Sequence, residues 1–526
     1  MPQPQPPRRA ERWIVAIAVA LIVLARSGVF LIWGQSAFDA DQAVFGLMAT
    51  HLSEGRAFPV FMYGQNYMLA VDAWTAAPLF RLFGPSIFLL KLPLVAWNVL
   101  VALLLLRILE RDVGLRPALA GVATSWFALP AVGTSALLVA PAVGNVAPFL
   151  YVTLIWLLRR RPIWCGVALG VGFLQREFTI YGIVALLVIE VGVRSAGRGA
   201  RGAEGGGRGA ESGGRESSVS RRAELTSLVG RFAVIFATAA AIWVIAQWLK
   251  GFGSAVGPGT SWRDLPAPPN DLTEIANRVC VDPRTLAAGL WRIATIHWPE
   301  LFGAAVYPVS SFGIQSRVHQ GLAGSGWLLA IIMTWAAGRI VMRVAATRRW
   351  PAAFDAPAYL VLAGALSVLG YVGARCGAVD PHLMRYELLS LAGAVGLSAW
   401  YLRVESARRL ARTWIALVLV WTALVAVPHV ELWRAYLTHP FVPAKQQLIW
   451  RLQAAGIEYA TADYWIAYYV TFVTDEHIIV DSEDIDRVFE YDRLVAQHRA
   501  ESIRILRQPC DRGTVLIPGV YACPPR

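Results

Sequence analysis

Apolar stretches of about twenty residues recur along most of the chain, separated by shorter polar connections. That is the length a helix needs to cross a hydrocarbon core of roughly 30 Å. Spans are read at 13–33, 86–106, 117–134, 137–158, 163–175, 179–193, 231–249, 325–344, 357–374, 387–402 and 413–429. The fifth and sixth are short and flank "QREF", so they also read as one broken hairpin reaching partway. Lipid leaves an open backbone unsatisfied, so every span is expected to be a helix. The first run, Trp13 to Trp33, is longer than the core of a signal peptide and lacks a small-residue cleavage site; it reads as a retained span.

Beyond residue 429 the pattern changes. "QLIWRLQAAGIEYATADYWIAYYVTFVTDEHIIVDS" reads as helix, short strand, helix, then the β-branched strand "HIIV". The expected fold is an all-α polytopic membrane protein of about 11 transmembrane helices over residues 1–429, with a small C-terminal extracytoplasmic α/β domain over 430–526.

Charge orients the spans. Only 16% of the 526 residues are charged against 56% apolar, and the formal net charge is +13. The basic residues gather in alternate connections: Arg8, Arg9 and Arg12, then "RILERDVGLRP", "LLRRRPIW", the 194–230 loop, "RVAATRRW" and "RVESARRLAR". By the positive-inside rule these face the cytoplasm, which puts the C-terminus outside. The net charge is thus a topology signal, and no nucleic-acid partner is implied. The outer segments are 34–85, the "QREF" turn, 250–324, 375–386 and 430–526. The 194–230 loop, rich in Gly, Arg, Ser and Glu, is expected to be a disordered linker. Cys280, Cys376, Cys510 and Cys523 fall outside, where disulfides persist. Cys510 and Cys523 flank a short stretch and are the best-placed pair for a bridge.

The first outer loop carries the strongest chemical signal. "FDADQAVFGLMATHL" opens with Asp39 and Asp41 where the chain leaves the membrane, a depth at which charges are costly. "AVFGLMATHL" has apolar residues at helical spacing and is expected to lie as an amphipathic helix at the membrane surface. "FPVFMYGQNYM", with Tyr63 and Gln65, mixes aromatic and polar groups suited to an interfacial groove. Two readings of the aspartates stand side by side. They complement the dipole at a helix N-terminus, or one acts as general base while the other positions a group or binds a metal.

The order of first span, "FDAD", interfacial helix, "RAFPVFMYGQNYM" and "LFGPSIFLLKLP" resembles the GT-C superfamily of membrane glycosyltransferases. The resemblance is to the bacterial branch related to protein mannosyltransferases and aminoarabinose transferases, and it covers roughly residues 13–195. It implies an acidic pair in the first outer loop and a sugar donor carried on a polyprenyl phosphate. Where mannosyltransferase relatives read Asp-Glu, this chain reads Asp41-Gln42, with Asp39 the acid available to stand in. The resemblance implies Asp41 as the base that takes the proton of an acceptor hydroxyl, supported by Asp39. If a divalent metal is used, these two residues are its expected ligands.

Two further segments are candidates for the same cavity. Arg176 and Glu177 of "QREF" read as a polar wall contacting donor, or as an ordinary turn with a local ion pair. His382, Arg385 and Tyr386 of "DPHLMRYE" stand at the outer end of a span. Arg385-Tyr386 resembles the "RY" of related transferases, which implies a clamp on the departing phosphate; interfacial anchoring is the other reading. Arg26, inside the first span, either snorkels to headgroups or faces phosphate.

The function expected is transfer of a hexosyl or pentosyl unit, with inversion, from a polyprenyl-phosphate donor to an acceptor at the outer face of the cytoplasmic membrane. The acceptor class, lipid, glycan or protein, is left open. The alternative is a transporter or flippase of lipid-linked glycans, which paired broken helices and midspan charge pairs would favour.

Overall fold

The computed structural model describes residues 9–142, 145–204, 213–265, 279–303, 325–347, 355–376 and 381–525. Helix α1 (Arg9–Ile32) packs along α4 (Ile87–Arg111) and α5 (Pro117–Ala128), with α2 (Ala40–Ser53) and α3 (Val71–Phe83) folding the intervening loop. Helices α5 and α6 (Val132–Leu138) meet at 85°. Pro130 explains the bend: its ring drives the preceding Leu129 out of the helical region, to φ −139° and ψ 72°. Then follow α7 (Ala147–Leu158), α8 (Pro162–Gln175), α9 (Ile180–Glu204) and α10 (Gly213–Lys250). After α11 (Pro283–Arg292), a π-helical turn and α12 (Trp298–Phe302) come α13 (Ser325–Thr347), α14 (Ala356–Gly373), α15 (Ser390–Val404) and α16 (Arg408–Thr438).

The chain is a multi-pass membrane protein. Among the described residues six helices are long and apolar enough to cross a bilayer, or seven if the bent pair counts as one span. The segments read at 137–158, 163–175 and 387–402 contain the helices α7, α8 and α15, of 12, 14 and 15 residues. At 1.5 Å per residue such helices rise only about 18–22 Å. Neighbouring helices bury most of α7 and much of α8 and α15.

Two expectations change. The 194–230 linker is not all irregular: α9 runs on to Glu204 and α10 starts at Gly213, while 205–212 lies outside the described residues. Ala, Arg and Glu are strong helix formers and propagate the flanking helices. Helix α2 is not a half-exposed surface helix either. Ala40 and every residue from Gln42 to His51 are buried. A helix apolar nearly all round needs cover on every side, and α2 finds it between α3 and the C-terminal domain.

That domain runs α17 (Ala444–Ala454), β1 (Tyr459–Ala462), α18 (Tyr464–Val473), β2 (Ile479–Ser482), α19 (Phe489–Gln497), β3 (Ile503–Leu506), β4 (Thr514–Ile517) and β5 (Val520–Cys523). Its sheet has the order β2-β1-β3-β5-β4, parallel across the first three strands and antiparallel across the last three. The Cys510–Cys523 disulfide read from sequence is present, and a second joins Cys280 to Cys376. Helix α18 lies against α2, with Phe38 and Phe472 rings 5.6 Å apart. Gly46 permits this approach: a Cβ there would stand 2.4 Å from the Phe472 ring.

Candidate functional site

Asp39 is the N-cap of α2, accepting from the Gln42 N–H at 3.0 Å. Capping is therefore real for this carboxylate. Burial, then the neighbouring Asp41, pushes its pKa up, although the Gln42 bond and Lys445 oppose the shift. Asp41, in the first turn, is engaged differently. Its Oδ1 accepts from the Tyr464 hydroxyl at 2.6 Å, so the C-terminal domain reaches directly into the acidic pair. The Tyr464 phenol is raised well above its usual range by burial and then by Asp41.

The hairpin 59–70 forms the next wall. Gln65 N–H donates to the Met62 carbonyl at 2.9 Å, closing a turn with Gly64 at φ +71°. That turn needs glycine at its third position. A Cβ there would also stand 2.8 Å from Arg487 Nη1, which donates to the Tyr63 carbonyl at 3.2 Å. Arg487 also lies over the Tyr464 ring, 5.9 Å from its centroid. Leu69 N–H donates to the Leu174 carbonyl at 2.9 Å, pinning the hairpin to the end of α8 and hence to "QREF".

The far end is cationic. Half-buried Tyr67 has its phenol raised by burial, then by Glu177, while Arg487 and Arg176 oppose the shift. Arg176 is buried and its guanidinium is pulled below its usual range by burial. The charges it feels are Glu177, Asp72, Arg385 and Tyr386. Arg385 and Arg375 lie 5.3 Å and 4.6 Å from the Tyr386 ring centroid. Burial alone would raise the Tyr386 phenol, but Arg385 and Arg375 outweigh it and hold it below its usual range. The next residue, Glu387, is fully buried and accepts from His297 Nδ1, which fixes the 3-10 helix Pro381–Glu387. Gln65 Oε1, Arg176 Nη2 and Arg487 Nε are enclosed without a hydrogen-bond partner. Buried polar atoms of this kind are uncommon and mark places where a ligand or water completes the bonding.

Asp41, Tyr464, Arg487, Tyr67, Arg176, Glu177, Arg385 and Tyr386 thus form a series of successive neighbours. The structure places two predicted residues elsewhere, and the side chain of a third is not described. The Tyr63 ring is fully buried with its hydroxyl 3.0 Å from His51 Nδ1, inside the contact between α2 and the C-terminal domain. Arg26 is buried among the spans, donating to Asn98 Oδ1 at 2.7 Å and lying over the Phe127 ring. His382 lies on the 3-10 helix, and its side chain falls outside the described residues. Among the described residues no group of three His, Cys, Asp or Glu gathers as a metal site. Lys91 and Lys445 both lie within electrostatic reach of Asp39 and bring positive charge to the pair.

Sequence reading missed four participants. Lys91 carried a signal, being a charge inside an apolar span; its Nζ donates to the carbonyls of Gly34 and Ala37 at 3.2 and 3.1 Å. Asp72 is buried and accepts from Ala142 N–H, Asn145 Nδ2 and Gln175 Nε2 at 2.9–3.0 Å, tying α3 to two other segments. Tyr464 and Arg487 arrive from the C-terminal domain, hundreds of residues away, and no local pattern marks them.

No known family profile matches the sequence, and no curated protein matches it. Among solved structures, the chain is similar to ArnT from Cupriavidus metallidurans bound to undecaprenyl phosphate, with 12% sequence identity over 98% of each chain and a TM-score of 0.48. It is also similar to ArnT from Cupriavidus metallidurans in the apo state, with 13% identity, 95% of this chain and 93% of that chain covered, and a TM-score of 0.37. Similarity at this level carries no residue roles across.

Proposed function

We propose that the chain is a membrane glycosyltransferase that moves a hexosyl or pentosyl unit from a polyprenyl phosphate to an acceptor hydroxyl. The carrying observation is the polarity of this series of neighbours: Asp41, held by Tyr464 with Arg487 over its ring, at one end and Arg176 and Arg385 towards the other. A base and a cationic cradle in one such series suit a displacement in which a proton leaves the nucleophile while negative charge builds on a phosphate.

In this reading Asp41 takes the acceptor proton as the hydroxyl oxygen attacks the anomeric carbon. The bond from that carbon to the phosphate oxygen breaks on the opposite side, so configuration inverts. The polyprenyl phosphate leaves with the bonding electrons, and Arg176 and Arg385 stabilise its charge. Tyr464 fixes the orientation of the Asp41 carboxylate. Asp39, flanked by Lys91 and Lys445, supports it by orienting the acceptor.

The reaction is placed at the outer face of the cytoplasmic membrane, with the N-terminus inside. Two contacts support that topology. The first loop packs on the C-terminal domain, and the Cys280–Cys376 bridge joins two other segments read as outer.

The test is incubation of purified protein with a panel of polyprenyl-phosphate sugars, measuring release of polyprenyl phosphate with membrane extract as acceptor. Release from at least one donor, abolished in Asp41→Asn, is expected. Movement of intact donor across proteoliposomes without release would instead make the protein a transporter.

A further inference from the structure

The ends of α1 and α4 remote from the first loop enclose a second cavity, of about 770 Å³. Four arginines line it: Arg9 and Arg12 from α1, Arg107 and Arg111 from α4. Glu110 is its one acid, 3.2 Å from Arg12 Nε, so three positive charges are left over in the lining. The floor is apolar, with Trp13, Leu103 and Leu104 beneath the arginines. Trp13, Ile14 and Ile17 on α1 are 68%, 67% and 55% exposed, so the face beside the cavity is bare where acyl chains would lie.

The cavity is far from the candidate site. Ile32 and Ile87, at the other ends of these helices, lead into the loop that carries Asp39 and Asp41. The 24 residues of α1 separate the two by about 36 Å.

An occupant has to be anionic at the level of the arginines, apolar below them, and able to arrive sideways from the bilayer. We propose that this cavity binds an anionic phospholipid of the adjoining leaflet, its phosphate held by Arg9, Arg107 and Arg111 and its acyl chains lying over Trp13 and Leu104. Basic pockets between transmembrane helices recognise such headgroups because guanidinium forks match phosphate oxygens. Arg12, already paired with Glu110, forms the wall. The inference is independent of the reaction proposed above.

The test titrates detergent-purified full-length protein with phosphatidylglycerol or phosphatidylcholine of matched chains, reading bound lipid by native mass spectrometry. Each basic residue near a headgroup contributes about fivefold, so Arg107→Gln with Arg111→Gln should weaken phosphatidylglycerol about 30-fold. The control, Arg408→Gln with Arg412→Gln, removes the same charge from the start of α16 and should leave binding unchanged. Arg107→Lys, which keeps the charge, serves if the double variant fails to fold; it should lose less than Arg107→Gln. Equal retention of phosphatidylcholine, equal loss in the control, or displacement of phosphatidylglycerol by inorganic phosphate alone would each overturn the proposal.

Discussion

Glu476→Gln probes how the C-terminal domain is held on the first loop. Its Oε1 lies 3.1 Å from His51 Nε2 and accepts from the Tyr491 hydroxyl at 2.7 Å, while its other oxygen pairs with Arg56. With His51 Nε2–H donating to the carboxylate, Nδ1 is left to accept from Tyr63. Burial works against this carboxylate, yet His51, Arg56 and Tyr491 together bring its pKa down from 4.5 to about 2. At 1.36 kcal/mol per unit, that depression corresponds to about 2–3 kcal/mol once Arg56, about a third exposed, is discounted for screening. A depressed carboxylate contributes its full stability above its unfolded pKa and loses it as pH falls through the folded value. The contribution is therefore complete at pH 7 and 5 and fades between about 4.5 and 2. Glu54, Asp475 and Glu490 also face Arg56 or Glu476. Hydrogen exchange of the α18 amides in detergent reads the opening equilibrium. Gln keeps the shape but not the charge, so exchange at pH 7 should rise about 30- to 200-fold. The gap between parent and variant should close as pH falls below about 4.5. Unchanged exchange at pH 7, or a gap that closes around pH 6, would refute the reasoning.

Four other outcomes are expected. Asp41→Asn should lower transfer at saturating donor by about 10²–10⁴ with donor binding retained, whereas Tyr464→Phe should cost about tenfold, since it disorients the base without removing it; parental rates in both exclude this loop from the chemistry. Arg385→Ala should depress donor use more than Arg385→Lys, because Lys keeps charge but loses the two-pronged geometry; equal activity of all three, measured as polyprenyl phosphate release, leaves Arg385 as an anchor. Asp72→Asn turns an amide towards three donors and should destabilise the protein by about 2–3 kcal/mol, seen as a lower Tm. Cys510→Ser should lower the stability of the β3–β5 region by about 3 kcal/mol, read as faster exchange of its amides relative to those of α18.

The sequence made the fold class legible because lipid imposes one rule on every span, and because the α/β alternation after residue 443 is strongly periodic. Hydropathy alone cannot distinguish a helix buried by neighbours from one facing lipid. Helices α7 and α8 are apolar for the first reason, and Pro130, not any loss of hydropathy, breaks the segment before them. At the site, Asp39, Asp41, Arg176 and Arg385 were visible as charges at span ends. Their grouping was not, since Tyr464 and Arg487 reach the first loop only through tertiary packing. Tyr63 misled because an aromatic hydroxyl in a polar loop looks the same whether it faces a cavity or a buried histidine.

The cover on α2 comes from a part of the chain made more than 400 residues after it. From the synthesis of residues 40–51 until Phe472 is made, that apolar helix lacks its partner on one side. Hundreds of residues of later helices must insert in the interval. A chain cut short before Tyr464 would lack the hydroxyl that holds Asp41 and would leave that apolar side of α2 uncovered. The contact between Tyr464 and Asp41 can therefore form only after all the helices between them have been made.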